Sequence, residues 1–142
     1  MQRRLFVHAV AITAITMFAL PALAQATAKK HRIVVQVSDN DPAKWNLALN
    51  NIRNLQEDVG AANVEVEMVA YGPGIGMLKM ESSVASRIAD ATKAGVKVIA
   101  CENTMKGQKL TRDDMVGGLS YVQAGVTEIM TRQGEGWAYL RP

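Results

Sequence analysis

The sequence predicts an α/β fold: a single layered domain with a mostly parallel sheet of about five strands flanked by helices. Three observations carry this. Short β-branched runs recur at residues 33–37, 64–70 and 96–101, and each ends in a turn-rich stretch. Helix-spaced apolar patterns fill the intervals between them, and strands alternating with helices need parallel pairing through crossovers. The chain has 142 residues, 49% apolar and 20% charged, which suits one hydrophobic core.

The elements follow in order. "IVVQV" (33–37) reads as a buried strand closed by the turn "SDNDP". Asp41 before Pro42 offers an N-cap carboxylate and a proline at the first helical position. Trp45, Ala48, Leu49, Ile52, Leu55 and Val59 then keep helical spacing until Gly60 stops the pattern. "VEVEMVA" (64–70) alternates like a second strand, and "YGPGIG" is a turn. Leu78, Glu81, Val84, Ala85, Ile88 and Ala89 predict a second helix ending before Gly95, and "VKVIAC" (96–101) is the third strand. A polar loop follows. "LTRDDM" then carries a capping box, Thr111 with Asp114, and a staple, Leu110 with Met115, so a short helix is expected up to Gly117-Gly118. "LSYVQA" predicts a brief fourth strand, "GVTEIMTRQG" a last helix with Val126, Ile129 and Met130 inward, and "WAYL" a final strand. The pattern leaves the direction of that strand open, antiparallel pairing at an edge being one solution.

Ahead of these elements, Arg3 and Arg4 precede an apolar stretch from Leu5 to Leu20, then Pro21 and the small-residue pattern Ala22-Leu23-Ala24. This is the order of a secretory signal peptide, residues 1–24, with cleavage expected after Ala24 or Ala26 and residues 25–142 forming the domain. The apolar run is shorter than the ~20 residues of a membrane span, so no stable membrane anchor is expected after cleavage and the location is periplasmic. Cleavage removes two of the 16 Lys and Arg and none of the 13 Asp and Glu, leaving 14 against 13. Such a balance, with no Lys/Arg cluster or aromatic stripe, argues against nucleic acid as a partner.

Cys101 is the only cysteine, so no internal disulfide can form, although exported proteins usually pair their cysteines. Stability must come from the packed core, extended by any self-assembly. In an open α/β sheet, sites form at the carboxyl ends of strands, and three loops qualify: "SDND", "YGPGIG" and "CENT". Their candidate pocket residues are Asp39, Asn40, Tyr71, Gly72, Gly74, Glu102, Asn103 and Thr104, around Cys101 as the chemically active residue. Amides of a following turn or helix favour a thiolate, Lys106 and Lys109 add positive potential, and Glu102 opposes it. A lone thiol has no resolving partner in its own chain, which suits carrying a group rather than cycling a disulfide. The competing reading is a buried cysteine acting as a small hydrophobe.

Other motifs carry less. "GPGIG" lacks the full dinucleotide fingerprint, and no Gly-Lys-Ser/Thr follows. His31 is the sole histidine beyond the leader, so neither a zinc site nor any other metal is expected, and no cofactor is implied. Met77 and Met80 are better read as core filler than as copper ligands. Asn46, Asn50 and Asn54 form an amide stripe on the first helix, either a solvated face or a subunit contact. Ser82, Ser83 and Ser86 have no histidine spaced for a triad.

From "HRIVVQVSDNDPAKWNLALNNIRNL" through "VEVEMVAYGPGIGML" and "GVKVIACENTM" to "QAGVTEIMTRQGEGWAYLRP", the chain resembles the DsrE/DsrF-like family of sulfur-relay proteins. It is most similar to a stand-alone branch with Asn51 and Asn54 in the first helix, a Gly-rich turn after the second strand, Cys101 with Asn103 and Thr104, and a terminal glutamine–glycine–tyrosine pattern. The resemblance implies a small α/β subunit that assembles with copies of itself as a trimer or hexamer. It also implies a cysteine after a central strand, here Cys101, that accepts a persulfide sulfur and passes it to a partner. The sulfur donor and acceptor are left unidentified by the sequence.

Overall fold

The structure is a computed structural model that describes residues 30–142; the expected leader, residues 1–24, lies outside the described residues. Five strands, β1 (His31–Val37), β2 (Val64–Ala70), β3 (Lys97–Cys101), β4 (Ser120–Val122) and β5 (Ala138–Leu140), form one sheet in the order β4-β3-β2-β1-β5. Every neighbouring pair is parallel, with Ile33 opposite Val66, Met68 opposite Val98, Ala100 opposite Tyr121 and Val34 opposite Tyr139. The final strand therefore lies parallel to β1, not antiparallel.

Helix α1 (Pro42–Val59) starts as its sequence requires: Asp41 is extended at the N-cap and its carboxylate accepts the Ala43 N–H at 2.9 Å. It stops at Gly60, whose φ of 85° is costly for any residue with a Cβ. Trp45, Ala48, Leu49 and Ile52 face inward and join Val35, Val37, Val66, Met68, Val98 and Ala100 of the sheet in the main core. Helix α2 (Ala85–Lys93) adds Ile88 to this layer.

This second helix is shorter than its pattern predicts. Residues Gly72–Leu78 form a 3₁₀ segment, and Lys79 is extended because the chain here pairs with a later one: Met80 N–H donates to Asp114 O at 3.0 Å, and Val116 N–H to Leu78 O at 2.9 Å. Backbone engaged in such a ladder cannot also be helical, so α2 begins only at Ala85. Where a polar loop is expected after β3, the chain forms helix α3 (Glu102–Gly107). The Thr111–Asp114 capping box is present, with the Thr111 N–H and hydroxyl donating to Asp114 Oδ2 at 2.7 and 2.9 Å, but it closes a single 3₁₀ turn, Arg112–Asp114.

Successive strand residues point to opposite faces. The second face carries Val34, Val69 and Ile99, and helix α4 (Gly125–Gly134) covers it with Ile129. Val126 and Met130, expected inward, are 55% and 66% exposed, because only one narrow stripe of this helix reaches the sheet. Also beneath α4 is Glu67, buried between Lys97 Nζ and Arg132 Nε, each at 2.9 Å. Arg132 stacks over Trp137 at 5.0 Å. None of the described helices is long and apolar enough to cross a membrane.

Candidate functional site

Cys101 closes β3 and caps α3 from an extended conformation. It has the strand parity of Ile99, so its side chain is directed to the α4 face. As a thiol it donates to the Gln123 carbonyl at 3.7 Å, in the turn that leads from β4 into α4. Only 5% of the residue is exposed.

Burial alone would raise the thiol's pKa. Its surroundings reverse that: the Thr104 hydroxyl and the N–H groups of Gly125, Thr104 and Asn103 hold it below its ordinary value of 9.0. The amides at the starts of α3 and α4 lie close enough to this sulfur to favour its anion, although the Asn103 N–H donates to the Gln123 carbonyl at 3.0 Å and the thiol makes no cap hydrogen bond to α3. Thr104 Oγ1 accepts the Gly72 N–H at 2.9 Å, which leaves the hydroxyl hydrogen to donate to Sγ. Gln108 Nε2 donates in turn to the Gly72 carbonyl at 3.3 Å. The Gly-rich loop after β2 therefore acts on the thiol through Thr104.

Gly125 is placed by close approach. A Cβ there would meet Val69 Cγ1 at 3.1 Å and Tyr71 Cβ at 3.2 Å. The absence of a side chain lets α4 begin directly over the ends of β2 and β3, where its amide reaches Cys101. Tyr71 accepts a hydrogen bond on its hydroxyl from Gln36 Nε2 at 2.6 Å, and Gln36 Oε1 accepts one from Tyr139. Beside the thiol, an open depression of ≈ 340 Å³ is lined by Asn103, Val122, Gln123, Ala124, Thr127 and Glu128.

The expected site residues divide. Tyr71, Gly72, Asn103 and Thr104 gather around Cys101. Gly74 is a packing position: a Cβ would lie 2.3 Å from the Val37 carbonyl oxygen. Asp39 is held at the end of β1 by Lys44 at 3.1 Å and Arg141 at 3.5 Å, with the Lys44 hydrogen bond foremost in lowering its pKa, and its carbonyl accepts the Trp45 indole N–H at 2.7 Å. Asn40 is exposed beside Gly76. Glu102 is drawn away from the sulfur into an ion pair with Arg112 at 2.7 Å, and Arg112 lies over the Tyr121 ring at 4.1 Å. Lys106 and Lys109 are exposed, and the groups that lower the thiol are dipoles rather than these cations.

Gly125 and Gln123 join the site from segments the sequence marks only as a helix start and a strand end, and α3 is a helix where a polar loop is expected. Glu102 in the first turn of α3 and Lys106 in its last are the dipole-matched signal that marks it. Among the described residues no group of three or more His, Cys, Asp or Glu side chains is arranged to hold a metal.

A small α/β domain with one dipole-supported thiol at the carboxyl edge of a parallel sheet is the class of protein these features define. The DsrE/DsrF-like family model matches residues 29–142, and the chain belongs to that family. Among solved structures, MTH1491 of Methanobacterium thermoautotrophicum, a protein of unknown function, is 35% identical with TM-score 0.76, over 80% of this chain and 100% of its own. The ychN protein of E. coli shares the fold at 13% identity and TM-score 0.64, over 80% of this chain and 99% of its own. So does BT1422 of Bacteroides thetaiotaomicron, a conserved protein of unknown function, at 12% identity and TM-score 0.61, over 82% of this chain and 99% of its own. No curated protein matches the chain.

Proposed function

We propose that this protein is an exported, periplasmic sulfur carrier in which Cys101 accepts a sulfane sulfur as a persulfide and passes it on. The observation that carries the reading is the place of the chain's one thiol, at the end of β3 against the starts of α3 and α4, where the Thr104 hydroxyl and nearby N–H groups lower its pKa. Membership of a sulfur-relay-type family supports the same chemistry. A thiolate held by fixed dipoles attacks the outer sulfur of thiosulfate; the S–S bond to the sulfonate breaks, sulfite leaves with the electron pair, and Cys101 retains a persulfide anion. The same donors favour that anion, and the depression at Asn103, Gln123 and Thr127, whose lining stops short of the buried Cys101, is the side from which an acceptor thiol would approach. Assembly as a homotrimer or hexamer belongs to this proposal, as does removal of residues 1–24.

Intact-mass measurement after incubation with thiosulfate or polysulfide tests it. One added sulfur, lost in Cys101→Ser, is the expected result; no adduct, or an adduct that persists in the variant, refutes the carrier role. The 5% exposure of Cys101 favours a second reading, a non-catalytic oligomeric binding module with a structural cysteine. In that case a thiol reagent labels Cys101 only after denaturation.

A further inference from the structure

Two asparagines of the amide stripe on α1, Asn46 and Asn50, anchor an arginine across the α1–α2 groove, away from the thiol. Arg87 of α2 donates to the side-chain oxygen of Asn46 through Nη1 and to that of Asn50 through Nη2, the latter at 2.7 Å. These are neutral acceptors, and among the described residues no carboxylate forms an ion pair with Arg87. The guanidinium is therefore fixed in position by neutral partners, with no carboxylate of the described residues at ion-pair distance. Of its five N–H donors, two are taken by the asparagines, which leaves three for a ligand.

Arg87 lines a half-enclosed groove of ≈ 230 Å³ whose floor is Leu49, Ile52 and Ala91. Arg53, paired with Glu57 at 3.7 Å, and Asp90 also line the groove, so among the described residues Arg87 is the guanidinium of this lining without an ion-pair partner. Leu49 and Ile52 are almost fully buried at the bottom of the groove, so only the edge of an apolar floor lies beside the oriented cation. The volume is below the ~300–1,000 Å³ of sites for drug-sized ligands, which points to a smaller one. An arginine pre-oriented by neutral amides recognises a carboxylate through paired N–H donors, and an apolar floor rewards a hydrocarbon body.

We propose that the α1–α2 groove binds a small monocarboxylate, its carboxylate on Arg87 and its apolar tail on Leu49, Ile52 and Ala91. This site is independent of Cys101, and its fate does not depend on the sulfur reading.

Hexanoate, with hexanamide as the neutral control, is the probe, followed by amide chemical shifts of the intact protein. The expected result is saturable shifts confined to α1 and α2 near Leu49, Ile52, Arg87 and Ala91, with hexanamide at least about tenfold weaker. Two variants separate charge from fold. Arg87→Met removes the cation; Asn46→Asp keeps the guanidinium held and supplies the missing countercharge. Each is expected to weaken hexanoate by about tenfold or more, while the rest of the spectrum stays native. Absence of saturable shifts at these residues up to about 10 mM hexanoate overturns the proposal, as does equal binding of hexanamide or unchanged affinity in Asn46→Asp.

Discussion

Thr104 shows how one hydroxyl links two loops. Its oxygen takes the Gly72 amide hydrogen, so its own hydrogen is left for the Cys101 sulfur. Thr104→Val removes that donor and leaves the N–H groups alone to oppose burial, so the pH midpoint of iodoacetamide alkylation moves up and alkylation at neutral pH slows. Thr104→Ser keeps the hydroxyl and is expected to restore the wild-type midpoint. A flat response in both variants would assign the lowered thiol to the amides alone. Loop position pointed to Cys101, Gly72 and Thr104 from the sequence, because strand ends are recognisable and residues near them converge. Gly125 was not recognisable in this way, since its effect arises from a close approach to Tyr71, 54 positions earlier in the chain.

At the scale of elements, β1, α1 and β2 were the readable part, because each has local signals that agree: β-branched strands, Asp41-Pro42 at a helix start, Gly60 at its end. Asp41→Ala deletes the cap to the Ala43 amide and is expected to lower stability by ~1 kcal/mol in urea unfolding, with the fold unchanged. The second helix departs from its sequence pattern for a physical reason of the opposite kind. Residues 79 and 80 have helix-compatible neighbours, but the Asp114 carbonyl and Val116 amide pair with that stretch and hold it extended. Helix α4 shows the same limit. Its apolar spacing is real, yet Val126 and Met130 lie outside the stripe that meets the sheet, which a one-dimensional pattern does not distinguish.

Across the whole molecule the sheet has a thick side, under α1 and α2, and a thin side, under α4 alone. On the thin side the buried Glu67 joins three separate parts of the chain, β2, β3 and α4, through Lys97 and Arg132. Burial raises its pKa, but the hydrogen bonds from Arg132 and Lys97 outweigh this and hold it below 4.5. The folded form thus binds a proton less readily than the unfolded chain. The carboxylate's contribution is complete above pH 4.5 and is lost as the pH falls through the depressed folded value. Urea midpoints measured from neutral pH downward are expected to fall in that window, and less steeply in Glu67→Gln. At neutral pH Glu67→Ala is expected to cost ~2 kcal/mol, moderated because Lys97 is nearly half exposed.

The position of β5 has a consequence for solubility. This three-residue strand covers Ile33–Val35 of β1, in the β-branched run "IVVQV". Without it, β1 becomes an open edge with unsatisfied amides and carbonyls, which templates pairing between molecules. A variant lacking residues 137–142 is therefore expected to form thioflavin-positive aggregates from a folded sheet, detected by light scattering at concentrations where the full chain stays clear.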